Sequence, residues 1–184
     1  MELEILRQYQ LTAHRTAIYP RRKDLAVMGD TGGVIYTTLG LCGECAEYHL
    51  AFTEYHKQPH LNKKAVVKEA GDVCWYLVEF LAELDIPVDV LINSEAYQSG
   101  RPFKNCMYYA GCCSELIKKG IRDFGKINPE SLTKIIANLQ LLWASLNFDM
   151  GLLGLNMEDI LEENNKKLLS RLERGKLQGS GDNR

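Results

Sequence analysis

No excess of one sign of charge marks this chain: 22 Lys and Arg stand against 24 Asp and Glu, a formal net charge of −2. That balance excludes the basic footprint by which nucleic acid or an anionic lipid surface is bound. Long apolar runs are missing too. None approaches the roughly 18 residues of a membrane span, and the opening Met1-Glu2-Leu3-Glu4 lacks the character of a secretory signal. Sustained period-2 alternation is absent, which argues against half-buried strands. Histidine is scarce, at 4 residues, and none stands three after a glutamate, so the Glu-x-x-His pairs of a ferritin-like di-iron bundle are missing. Cysteine is better supplied, at 6 residues, but without a secretory signal these are expected to be reduced thiols. Cys42-Gly43-Glu44-Cys45 lacks the strand-to-helix setting of a redox motif, and zinc would need a second matched pair. What remains is an ordinary globular composition, 46% hydrophobic and 25% charged over 184 residues, enough for one domain with a real core. A soluble, cytoplasmic protein is expected, with one domain over 1–177 and a flexible tail at 178–184.

The periodicity is helical almost throughout, which predicts an all-α bundle. A first helix spans 3–18 and stops at Tyr19-Pro20. A loop over 21–33 leads to a second helix over 34–57, broken at Gln58-Pro59. Asn62 caps a third, which runs to about 84, and Asp85-Ile86-Pro87 ends it. A short helix over 88–98 and a longer one over 102–124 follow. Asn128-Pro129 is a strong start signal for a helix to about 150, and Asn156 caps the last, which ends at Gly175.

The informative segment lies between Tyr36 and Leu84. Glu44 and Glu47 are three apart on one face of the second helix, and Glu69 and Asp72 repeat that spacing on the third. An acidic pair of this kind is ordinarily a solvated face. Here Leu41, Tyr48, Leu50 and Ala51 surround the first pair, and Ala65, Val66, Val73, Trp75 and Tyr76 surround the second. An unpaired charge on an apolar face is costly. The pairings of Glu44 with Asp72 and of Glu47 with Glu69 are both centred on residue 58, where Gln58-Pro59 breaks the helix. An antiparallel hairpin therefore brings four carboxylates to one level, where like charges repel unless cations sit between them. An all-oxygen site of this kind suits Mg²⁺ or Mn²⁺. Carboxylate-held divalent ions with open water positions are a usual means of binding polyphosphate and activating water.

Gly40-Leu41-Cys42-Gly43-Glu44-Cys45-Ala46-Glu47, followed by Lys68-Glu69-Ala70-Gly71-Asp72-Val73-Cys74-Trp75-Tyr76-Leu77, resembles the ExxE and ExxD signature of MazG-like all-α nucleoside triphosphate pyrophosphohydrolases. Tyr9-Gln10, Ala13, Thr16-Ala17 and Tyr19-Pro20 are similar to the opening helix of that family. Asn164, Lys167-Leu168 and Arg171 are similar to its closing pattern, while the stretch from about 86 to 154 is extra relative to its shortest members. The resemblance implies that Glu44, Glu47, Glu69 and Asp72 bind Mg²⁺, with Mn²⁺ as a substitute. It also implies hydrolysis of nucleoside triphosphates to monophosphate and pyrophosphate, and a homo-oligomer, dimer or tetramer. One of the four carboxylates is expected to orient or deprotonate the attacking water, with Glu47 the candidate.

Asn164, Lys167 and Arg171 share one face of the closing helix beside the stripe of Met157, Ile160, Leu161, Leu168 and Leu172. On spacing alone the basic chains would snorkel from an amphipathic helix; with the resemblance, Asn164, Lys167 and Arg171 are candidates to hold triphosphate oxygens. Trp75, beside the acids, is a core residue or a platform for a base. A second hairpin over 102–150 reads as a blunted copy of 34–85, centred near Gly125. Cys112, Glu115, Ile135 and Asn138 stand in it where the first has its four acids, so it should hold no metal. The reading from another class is a catalytically idle helical interaction module of the same shape, against which the intact acidic quartet argues.

Overall fold

The computed structural model describes residues 3–19, 32–58, 63–92 and 104–177. All the regular structure in them is helical: α1 (Leu3–Thr16), α2 (Gly32–Lys57), α3 (Lys63–Glu83), α4 (Asp89–Ile92), α5 (Cys106–Phe124), α6 (Pro129–Leu152) and α7 (Met157–Glu173). The all-α expectation holds. The expected Asn62 cap, most of the 21–33 loop, residues 93–103 and the tail at 178–184 lie outside the described residues.

Where the start signals are strongest, the chain obeys them. Asn128 accepts a hydrogen bond from the Ser131 amide at 2.8 Å, with Pro129 as the first helical residue, and Asn156 accepts one from the Asp159 amide at 2.8 Å. Each such cap is worth about 1 kcal/mol against alanine. Several expected boundaries shift: α2 starts two residues early at Gly32, and α7 ends at Glu173 rather than Gly175. Thr16 ends α1 two residues early, its hydroxyl turned back onto the Ala13 carbonyl at 2.8 Å. α5 starts at Cys106 rather than near 102, because Asn105 takes the cap position and accepts from the Tyr108 amide at 3.0 Å. At its far end Gly125, with φ +65°, turns the chain toward α6.

The long helices pair in sequence order. α2 packs on α3, α5 on α6, and α2 also lies against α5, while α7 returns to cover α1 and α3. The α2–α3 register is set by close approach: a Cβ on Gly40 would fall 1.9 Å from the Tyr76 ring, and one on Gly33 would fall 2.0 Å from the Glu83 carboxylate. Both contacts are centred on residue 58, as the sequence predicts for this hairpin. Small thiols line the neighbouring seams. Cys106 donates toward the Leu142 carbonyl and Cys113 toward that of Ile135, at 3.7 and 3.8 Å. One continuous core runs through the bundle, from Leu6 and Tyr9 of α1 through Leu41 and Phe80 to Trp143 and Leu161. Among the described residues no helix is long and apolar enough to cross a membrane.

Candidate metal centre

The α2–α3 register brings Glu44, Glu47 and Glu69 together, with one carboxylate oxygen of each within 4.8 Å of the others. Glu44 and Glu69 are half-buried and Glu47 is exposed. Burial pushes the Glu44 carboxyl up from 4.5 to about 7, and the charges of Asp72, Glu47 and Glu69 push the same way, against Lys167. A carboxylate held among like charges in a partly dry setting is a donor that gains from a hard cation. The donor set is all oxygen, which fits Mg²⁺ or Mn²⁺.

Asp72, expected at the same level, lies outside this group of three, although it lines a cavity with Glu44 and its charge acts on that carboxyl. Its carboxylate accepts a close ion-paired hydrogen bond from Lys167 and a second bond from Asn164 Nδ2 at 3.1 Å. Asn164 is itself buried, and its Oδ1 accepts from the Tyr9 hydroxyl at 2.8 Å. This chain crosses α1, α7 and α3 and requires glycine at 71, where a Cβ would meet Asn164 Nδ2 at 2.6 Å. Expected as a substrate ligand, Asn164 has its oxygen and one amide hydrogen engaged in fixing Asp72. Lys68 Nζ likewise bonds Glu69 at 2.8 Å.

Two cavities flank the carboxylates. A small one, about 140 Å³, is lined by Glu44 and Asp72 together with Tyr36, Trp75, Tyr76 and Arg171. Its rings interlock: Trp75 meets Tyr76 edge-on at 4.7 Å, and Tyr36 is 6.0 Å from Tyr76. Trp75 is anchored by its indole N–H, which donates to Thr16 Oγ1 at 3.0 Å. The second cavity, about 600 Å³, is a groove between α3 and α7 whose walls include Lys64, Lys68, Glu69 and Lys167. The two candidate cations singled out on the closing helix thus divide, Lys167 lining the groove and Arg171 the cavity with the rings.

Tyr36, Tyr76 and Lys68 were not singled out as site residues in the sequence. The signal was there: Tyr36, Gly40 and Glu44 recur at four-residue steps, and Tyr76 follows Asp72 by four, so all lie on the faces that meet. In the second hairpin Glu115 is exposed and paired to Lys118 and Lys119, Ile135 is fully buried, and Asn138 Nδ2 bonds the Lys134 carbonyl at 2.7 Å. All six cysteines are free. Burial raises the affinity of Cys45, Cys74, Cys106 and Cys113 for their protons, which suits packing rather than ligation.

No family model and no solved structure matches the chain. Over 83 residues it is 31% identical to the "Gene 37 protein" of Mycobacterium phage L5, covering 42% of this chain and 70% of that protein. The chain belongs to the family of that phage protein.

Proposed function

We propose that the protein is a Mg²⁺-dependent pyrophosphohydrolase that converts nucleoside or deoxynucleoside triphosphates to the monophosphate and pyrophosphate. The observation that carries this reading is the convergence of Glu44, Glu47 and Glu69 within 4.8 Å, flanked by an aromatic pocket and a lysine-walled groove. Glu44, Glu47, Glu69 and the adjacent Asp72 would hold the metal. When bound, a divalent ion there polarises phosphoryl oxygens and offsets the charge of the transition state. The chain's own groups supply the rest. Glu47, the exposed member, orients the attacking water. Trp75, Tyr36 and Tyr76 offer ring faces to a base, and Lys167 and Arg171 neutralise phosphates from the closing helix. Asn164 acts by holding Asp72 in place.

A reducing, cytoplasmic setting accords with six unpaired thiols. Exposed Leu39 and Leu50 on α2, 66% and 59% accessible, support self-association as a dimer or tetramer.

The test is a panel of ribo- and deoxynucleoside triphosphates with Mg²⁺ or Mn²⁺, with products resolved by chromatography and the reaction repeated in oxygen-18 water. Label in the monophosphate is expected, because water attacks the α-phosphorus and the far phosphates leave together. Label in pyrophosphate, or free phosphate as first product, overturns the reaction type. No turnover of any nucleotide leaves the idle module.

A further inference from the structure

Two of the candidate metal ligands already have cations on them, and both cations are lysines that also wall the groove. Lys68 Nζ lies 2.8 Å from Glu69 Oε1, and Lys167 is ion-paired to Asp72. These are not loose surface contacts: the side chains of Lys68 and Glu69 are 31% and 13% exposed, and those of Lys167 and Asp72 are 22% and 21% exposed. Lys68, Glu69 and Lys167 all line the cavity of about 600 Å³ between α3 and α7, and Lys64 adds a third ammonium one turn before Lys68. The neighbouring Lys63 turns away, its Nζ on the Leu153 carbonyl at 2.8 Å. Glu163 contributes one negative charge to the wall.

We propose that Lys68 and Lys167 are exchangeable counter-ions, each held on a metal-ligating carboxylate until a divalent cation displaces it and then turned into the α3–α7 groove to bind the leaving pyrophosphate. This rests on the pyrophosphohydrolase reading and names two things that reading does not: the groove as the pyrophosphate site, and Lys68 as one of its binding residues. The physical ground is charge balance. The single negative charge of Glu69, held by Lys68 through Oε1, cannot balance an ammonium and a divalent ion equally well at once. A lysine released on a flexible stem beside a groove holding two other ammonium groups forms an anion site only once metal is present. Metal and anion must then strengthen each other's binding by the same factor.

The signature is a pair of opposite changes from one substitution. In Lys68→Met, Mg²⁺ titrated calorimetrically without anion should bind roughly three- to ten-fold more tightly than to wild type, because its competitor is gone. Inorganic pyrophosphate, titrated with Mg²⁺ in saturating excess, should bind roughly ten-fold more weakly. Lys68→Arg should preserve pyrophosphate binding, and Lys64→Met should weaken pyrophosphate alone. A Lys68→Met protein in which Mg²⁺ binding weakens or is unchanged, or pyrophosphate binding is unchanged, overturns the exchange. If wild type still hydrolyses nucleotides in that case, the enzyme reading survives without it. If wild type binds no Mg²⁺ at all, both fall.

Discussion

Asp72 is held by a relay that begins on another helix: Tyr9 fixes Asn164, and Asn164 fixes Asp72. Tyr9→Phe removes a buried hydroxyl shared between Asn164 Oδ1 and the Gly71 carbonyl and should cost about 1–2 kcal/mol in denaturant unfolding. Gly71→Ala is the sharper probe, because its methyl group would occupy space taken by the Asn164 amide. It should lower stability by roughly 1–3 kcal/mol and weaken Mg²⁺ binding in the same protein; unchanged metal affinity would show that Asp72 does not depend on the relay. Glu44 carries a different consequence. In the metal-free protein its carboxyl holds its proton up to about 7, against 4.5 ordinarily. The folded state therefore binds more protons than the unfolded chain between those values, and stability falls as pH rises through that window. Melting temperatures from pH 4.5 to 7.5 should show this decline, and Glu44→Gln should flatten it. Mg²⁺ added at pH 7 should release protons from the wild type, measurable by calorimetry in buffers of different ionisation enthalpy.

At the scale of the helix, substitutions in the α2–α3 hairpin should separate the fold from the proposed chemistry. Glu44→Gln and Glu69→Gln each remove a negative charge from a crowded cluster, and Asp72→Asn removes one beside it, so helical circular dichroism should persist while turnover is lost. Near-normal turnover by any two at saturating Mg²⁺ would refute the assignment. Glu115→Gln, on α5, touches only an exposed pair of lysines and should leave activity within a few-fold. The hairpin register was legible because the spacing of four acids and one Gln-Pro break leaves little freedom, and Gly40 then lets Tyr76 approach. The capping asparagines at 128 and 156 were legible for the same local reason. The start of α5 was not, since a proline near 102 and an asparagine at 105 are competing punctuation. Nor was the division of labour along α7. Spacing puts Asn164, Lys167 and Arg171 on one face, but only packing against α1 and α3 decides that Asn164 braces, Lys167 turns to the groove and Arg171 turns to the rings.

For the whole molecule, the proposed metal binding would be linked to folding, because the Glu44, Glu47 and Glu69 carboxylates come together through the docking of α2 on α3. Mg²⁺ should raise the melting temperature in a concentration-dependent way, stabilising the fold by about 2.7 kcal/mol at a hundred times its dissociation constant, and the Glu69→Gln protein should lose that response. The positions of the two tryptophans make such experiments separable by light. Trp143 has no exposed surface, and its indole nitrogen finds no hydrogen-bond partner, so its emission should be blue-shifted in the native state and move red only on global unfolding. Trp75 is half-buried in the wall of the aromatic pocket, beside Tyr76 and within reach of whatever enters. With only these 2 tryptophans in the sequence, a Trp143→Phe protein excited at the red edge of indole absorption becomes a fluorescent sensor of the pocket alone. A Trp75→Phe protein reports the integrity of the core and is blind to ligand, so occupancy and unfolding can be followed in one fold without an added dye.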